Sequence, residues 1–154
     1  MAGSHDLETS PPPDQLPWGN VVLQFAQAVP ADPELGLVPY YHFRITTQEV
    51  GDMGFINFRL GQSERIMLYA GHIGYQVFEP YRGNRLALAA CQALGPFVRT
   101  IYESVIITCN PDNEPSRRTI ERLGARFLNE IPVPPEEPAF ANGSRAKRRY
   151  EWRP

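Results

Sequence analysis

The chain has 154 residues, 42% hydrophobic and 21% charged, and its 15 basic and 17 acidic side chains leave a net charge of −2. That length fits one domain and allows about two-thirds of the chain's surface to be buried, so neither a disulfide nor a metal is needed to hold the fold. A near-neutral balance excludes a dedicated nucleic-acid binder, which would be strongly basic, and no apolar stretch reaches the roughly 18 residues of a membrane-spanning helix.

No apolar core follows a basic segment at the N-terminus, which reads as the absence of a signal peptide. Cys91 and Cys109 stand in apolar surroundings without a metal or redox spacing. They read as reduced, buried thiols in a cytoplasmic protein.

Residues 1–17 are polar and proline-rich, with the run Glu8-Thr9-Ser10-Pro11-Pro12-Pro13. They predict a flexible tail, because such a run buries too little apolar surface to offset its ordering. Residues 18–154 then form a single domain. Val21 to Phe25 predicts a strand, which Val29-Pro30-Ala31-Asp32-Pro33 breaks. Only a turn fits before Pro39, at Ala31 to Gly36. Tyr40 to Thr46, aromatic and β-branched, predicts the next strand. A turn at Gly51-Asp52 leads to the alternating strand Met53 to Leu60, and a polar loop from Gly61 to Arg65 leads to another centred on Ile73 to Phe78. These three read as an antiparallel meander.

From Asn84 the period changes. Leu86, Ala90, Cys91 and Leu94 fall on one helix face, which Gly95-Pro96 weakens or ends. Ser104 to Cys109 is a continuous apolar run, the pattern of a central strand buried on both faces. A second helix starts at Asn113 as N-cap with Pro115 in its first turn, turns Ile120 and Leu123 inward, and stops at Gly124. Ala125 to Ile131 predicts a strand, Pro132 to Gly143 a loop, and Ala146 to Trp152 the last strand. The order β-β-β-β-α-β-α-β-β predicts an α+β (mixed α/β) fold, a sheet of about seven strands with helices on its faces.

Two stretches carry chemistry. In Arg82-Gly83-Asn84-Arg85-Leu86-Ala87 a strand passes through a glycine-containing loop into a helix. The free N–H groups of that first turn and the helix dipole make an anion site suited to a pyrophosphate, although many such units bind nothing. The second stretch, Asn110-Pro111-Asp112-Asn113-Glu114-Pro115-Ser116, follows a buried strand at the start of the next helix. Capping and turn formation explain one asparagine and the prolines. They explain less well why Asn110, Asn113 and Ser116 recur at three-residue spacing.

Together these stretches resemble the GNAT N-acetyltransferase superfamily, from about residue 20 onward. Arg82-Gly83-Asn84-Arg85-Leu86-Ala87 resembles its acetyl-coenzyme A loop, Arg/Gln-x-x-Gly-x-Gly/Ala. The run Asn110-x-x-Asn113-x-x-Ser116-Arg117-Arg118, ending in Glu121-Arg122-Leu123-Gly124-Ala125-Arg126-Phe127, resembles the branch containing the ribosomal-protein N-terminal acetyltransferases. His72-Ile73-Gly74-Tyr75 is similar to that branch's Glu-Ile-Gly-Tyr. Two departures stand out. Arg85 occupies the place of a usual glycine, where a Cβ restricts positive φ; either the loop tolerates it, with the guanidinium on a phosphate, or coenzyme binding is weakened. The first third lacks room for the superfamily's two acceptor-wall helices, so the cleft is open or completed by a partner chain.

The resemblance implies a GNAT-like, mostly antiparallel mixed sheet, with acetyl-CoA held between two parallel strands that splay apart. The backbone of Gln76, Val77 and Phe78 would contact the pantetheine arm, the turn Arg82, Gly83, Asn84, Arg85, Leu86 and Ala87 would take the pyrophosphate, and Asn110 and Asn113 would reach the arm and fix the turn. The reaction would be direct attack of a primary amine, a protein N-terminus or a small molecule, on the thioester. His72, standing in place of the glutamate, is the candidate base; the other reading is a strand-face histidine in a hydrogen bond. Ser116 would stabilise the departing sulfur by a hydrogen bond rather than full proton transfer; otherwise it is a first-turn serine touching backbone. Two further readings stand beside the enzyme: a non-catalytic acetyl-CoA-binding or sensor module, and an interaction domain that has lost its ligand. No metal, nucleic acid or membrane is implied, and relatives are commonly homodimers. Tyr40, Tyr41 and Tyr69 read as core or rim before acceptor cleft, and Arg145, Lys147, Arg148 and Arg149 as a solvated edge.

Overall fold

The computed structural model describes residues 11–154. Strand β1 (Gln15–Trp18) pairs antiparallel with β2 (Val21–Val29), setting Leu16 against Leu23. The expected tail is therefore too long. Residues 1–10 lie outside the described ones, but residues 15–17 belong to β1, because burying Leu16 against the core offsets the ordering that the neighbouring prolines make easy. The ladder continues antiparallel through β3 (Tyr40–Thr47), β4 (Gly54–Arg59) and β5 (Ile73–Val77) in the order β1-β2-β3-β4-β5. Alternation puts Tyr41, Phe43 and Ile45 of β3 and Ile56 and Phe58 of β4 in the core.

Helix α1 (Leu86–Arg99) covers that core with Ala90, Cys91, Leu94, Phe97 and Val98. It runs through Pro96 instead of ending there. The proline removes one hydrogen bond near the last turn. Continuing the helix buries Phe97 edge-on against Tyr41 and Phe58, with ring centroids 5.5 and 5.9 Å apart, and that packing prevails.

The rest of the chain forms a second antiparallel sheet from β6 (Val105–Cys109), β8 (Ala146–Trp152) and β7 (Arg126–Pro132), in the order β6-β8-β7. In place of one sheet of about seven strands, the described residues form eight strands in two sheets. β6 is buried as expected, but its second side faces β5 across a gap instead of completing a ladder. β8 lies in the middle of its sheet, so Arg145 to Arg149 do not lie on a solvated edge strand. Helix α2 (Glu114–Arg122) starts at Asn113, whose side chain accepts from Ser116 N–H, as its sequence predicts.

A π-helical turn, Arg65–Ala70, follows directly on the expected loop Gly61 to Arg65, a 3-10 turn, Glu79–Tyr81, follows β5, and the short α3 (Pro138–Ala141) lies inside the expected loop Pro132 to Gly143. Among the described residues of the first third, the only helix is a single 3-10 turn, Pro33–Leu35. Cys91 and Cys109 are free and buried, and burial pushes the Cys91 thiol up to about 12, which leaves it inert. No helix among the described residues is long and apolar enough to cross a membrane.

Candidate active site

The two sheets touch where β5 and β6 begin. His72 N–H donates to Ile106 O at 2.7 Å, and Ile106 N–H returns a bond to His72 Nδ1 at 3.0 Å. Beyond that junction the strands share no ladder, and a cleft of about 1220 Å³ opens between them. Ordinary ligand pockets hold roughly 300–1,000 Å³, so there is room for more than one substrate.

One end of the cleft lies at the C-terminal end of β5, where the sequence placed the coenzyme-binding residues. No side chain caps α1, so its first N–H groups point into the cleft beside Gly83, Leu86 and Ala87. Arg85 is the N-cap in the left-handed conformation (φ 56°, ψ 31°), the only non-glycine with positive φ among the described residues. Its backbone adopts the left-handed conformation that glycine takes most readily, so the turn forms here with a side chain in place. Arg82 donates its Nε–H to Val77 O at 2.8 Å, folding over the end of β5.

Two residues expected on this side do not line the cleft. Asn84 donates Nδ2–H to Tyr81 O and braces the turn. Phe78 donates its N–H to Met53 O and accepts from Tyr81, so its backbone is committed elsewhere. Main-chain direction alternates along a strand. With His72 O taken by Arg59 N–H and Phe78 N–H by Met53, Gln76 also turns its backbone toward β4, whereas Tyr75 and Val77 turn theirs toward the gap. Gln76 reaches the cleft with its side chain only.

Asn110 and Asn113 both border the cleft. Asn110 Oδ1 accepts from Ser144 Oγ at 2.7 Å, and Asn113 Oδ1 is the helix cap at 3.2 Å from Ser116 N, so each carbonyl is used structurally. Ser116 Oγ lies 2.8 Å from Tyr75 Oη, which makes a hydroxyl pair facing the gap. Burial, the largest influence, drives the Tyr75 phenol well above its ordinary pKa, so it stays protonated and able to donate. Tyr75 is a residue that sequence reasoning passed over except as a motif letter.

The structure places His72, the expected base, away from the cleft. It is 2% exposed and lies outside the cleft lining. Because Nδ1 accepts from Ile106 N–H, the ring is neutral with its proton on Nε2, which donates to Gly61 O at 2.9 Å. Burial first of all, opposed by these two bonds, holds its pKa below the ordinary value. With both nitrogens engaged, no lone pair remains to take a proton from a substrate. His72 instead pins the two sheets together.

The opposite end of the cleft is built by residues the sequence left in loops. Arg65, in the π-helical turn, binds Glu137 at the start of α3 (2.9 Å) and Gly36 O (3.1 Å). One side chain thereby gathers three short segments into one wall of the cleft. Tyr40 and Tyr69 line this part, whereas Tyr41 is buried in the core. Arg59 and Lys147 also face the cleft; the sequence did not single out Arg59 and read Lys147 as part of a solvated edge. Gly74, a glycine inside a strand and so a mark of close approach, was the available signal for Arg59.

The acetyltransferase (GNAT) domain family matches residues 18–126. No curated protein matches the chain significantly. Similar solved structures include RimL, the ribosomal L7/L12 alpha-N-protein acetyltransferase in complex with coenzyme A, at 18% identity over 73% of this chain and 60% of that one, TM-score 0.57. A GNAT-family acetyltransferase from Bacillus anthracis is 27% identical over 71% of this chain and 64% of that one, TM-score 0.54. The microcin C7 self-immunity acetyltransferase MccE, in complex with acetyl-CoA and AMP, is 20% identical over 73% of this chain and 59% of that one, TM-score 0.52. The chain spans less than two thirds of each of these three proteins. With splayed strands, an uncapped helix start and a family match over well over half its length, the chain belongs to the acetyltransferase (GNAT) family.

Proposed function

We propose that the protein is an acetyl-CoA-dependent N-acetyltransferase acting on a primary amine by direct attack. One observation carries this reading: a single cleft joins the uncapped start of α1 to the paired hydroxyls of Ser116 and Tyr75. Acetyl-CoA supplies the thioester. The first-turn N–H groups of α1 and the main chain of Gly83 bind its diphosphate, and the backbone edge of Tyr75 and Val77 pairs with the pantetheine arm and polarises the carbonyl. The neutral amine forms its bond to the carbonyl carbon as the carbon–sulfur bond breaks, and the proton that the nitrogen then sheds passes to solvent through the open cleft. Tyr75 donates to Ser116, and Ser116 donates to the sulfur as negative charge develops on it. A coenzyme thiol is a much stronger acid than either hydroxyl, so the pair stabilises by hydrogen bonding and keeps its protons.

Thermal unfolding and thiol release test the proposal together. Acetyl-CoA at one hundred times its Kd should stabilise the protein by about 2.7 kcal/mol. Thiol release should follow with amines among peptides with a free N-terminus, amino acids, polyamines and aminoglycosides. Tyr75→Phe and Ser116→Ala should each lower kcat by about tenfold to a hundredfold while keeping the melting shift. A shift without thiol release on any amine would make the protein a coenzyme-binding module, and the absence of a shift would remove the ligand altogether.

A further inference from the structure

Two cations meet on the acceptor side of the cleft without a carboxylate to balance them. Arg59, the last residue of β4, turns across β5, and its guanidinium lies so close over Gly74 that a Cβ there would stand 2.7 Å from Nη2. It donates through Nη1 to Ala70 O and Gly71 O, both at 3.2 Å. Lys147, on β8 of the other sheet, faces the same space and is half-buried, near enough for the charge of Arg59 to act on its ammonium. Among the described residues neither cation is in an ion pair. Glu137, the one carboxylate among the described residues lining the cleft, is committed to Arg65 at 2.9 Å.

Two like charges turned toward one cavity, each partly withdrawn from water, are unfavourable unless something compensates them. The glycine at 74 is what allows one of them to stand there. They are not placed for the coenzyme's diphosphate. Arg59 lies over Gly74 at the start of β5, whereas the phosphate loop begins beyond its far end, roughly 10 Å away at the rise of a strand, and has Arg82 and Arg85 of its own.

We propose that Arg59 and Lys147 form a carboxylate-binding subsite, so that the acceptor is an anionic amine. Resting on the acetyl-transfer reading of the cleft, this puts the acceptor's nitrogen beside the Ser116–Tyr75 pair and its carboxylate between the two cations. Polyamines and aminoglycosides are excluded, since a second ammonium would meet two positive charges. The carboxylate has two sources, a free α-amino acid or a peptide with acidic side chains next to its free N-terminus.

The test compares acid and amide twins at constant ionic strength: L-serine with L-serinamide for the first source, and Ser-Asp-Glu with Ser-Asn-Gln tripeptide amides for the second. In the source that applies, the acid twin should have a kcat/KM at least about tenfold higher, the size of one charge-assisted hydrogen bond, expressed mainly in KM. Arg59→Gln should collapse that ratio toward one. Arg59 also holds Ala70 and Gly71, so Lys147→Gln serves as a second variant with the same expectation. Equal turnover of acid and amide twins, or a preference that both variants keep, overturns the proposal while leaving acetyl transfer intact. If no amine is turned over, calorimetry of the same compounds on coenzyme A-loaded protein decides: tighter binding of an acid twin, lost in Lys147→Gln, sustains the subsite, and equal binding ends it.

Discussion

Replacing Arg85 by glycine and by alanine separates what its backbone does from what its side chain does. Both variants remove the guanidinium; they differ by one methyl group at a left-handed position, φ 56° and ψ 31°. An L-residue there costs about 1–2 kcal/mol. Glycine escapes that cost but loses about 0.5–1 kcal/mol through its freer unfolded chain. Arg85→Gly is therefore expected to be more stable than Arg85→Ala by about 0.5–1 kcal/mol, or roughly 1–4 °C in Tm for a chain of this size. Thermal unfolding without ligand reads that difference, and titration with coenzyme A reads the other half. The guanidinium is exposed at the cleft rim. Its contribution to a phosphate should be that of an exposed ion pair, about 0.2–1 kcal/mol, so both variants should bind no more than about fivefold more weakly than wild type. Equal melting of the two variants would refute the assignment of strain to residue 85. A shared hundredfold loss of affinity would show that the side chain, not the main chain, holds the diphosphate.

His72 links stability to pH. Burial holds its pKa below the ordinary value of about 6.5, so below that pH the unfolded chain binds more protons than the folded one. The stability it contributes is complete above about pH 6.5 and is lost as pH falls toward the lowered value. Urea midpoints should thus fall more steeply for wild type than for His72→Gln between about pH 6.5 and pH 5, and parallel curves would contradict this. The same geometry sets the rate profile. With no proton acceptor at His72, kcat/KM for an α-amine should climb with pH toward that amine's own pKa, about 8, without an inflection near 6.5. An inflection there that disappears in His72→Gln would return the histidine to the mechanism.

Much of the fold was legible because periods of two and 3.6 residues alternate cleanly along the chain. β2 to β5 and α2 lie close to where alternation and capping put them. β1 was hidden by the prolines around it, since composition over a window outweighs a single Leu16 that packs at long range. The turn Arg65–Ala70 buries only Ile66, too little to make a periodic signal. The loop from Arg82 to Ala87, which leads into the uncapped start of α1, was readable because its parts are consecutive in sequence. Arg59 and Lys147 were not, because they come from different sheets and meet only where β5 and β6 part. His72 shows the opposite error. Motif position placed it beside the reaction, but its neighbours across the junction, Gly61 O and Ile106 N–H, take both ring nitrogens, and no local pattern announces them.

The loss of His72 as a base narrows which amines the cleft can use. Presenting a lysine side chain neutral at pH 7 costs about 4.6 kcal/mol, whereas an α-amine near pKa 8 costs about 1–1.5 kcal/mol. Without a dedicated acceptor for the proton, the first cost would stand almost entire in the barrier, while the second amounts to about a tenfold loss of reactive substrate. Arg59 and Lys147 act in the same sense, because an ammonium beside two cations is disfavoured relative to the free amine. A carboxylate seated between them cancels part of that push, but it also holds the acceptor so that the neutral form need only be sampled, not sought. Under the proposed acetyl transfer, charge on the cleft wall and the acidity of the nucleophile therefore both favour α-amines, and the reaction would ask of the protein only orientation, a polarised carbonyl and two hydroxyls for the sulfur.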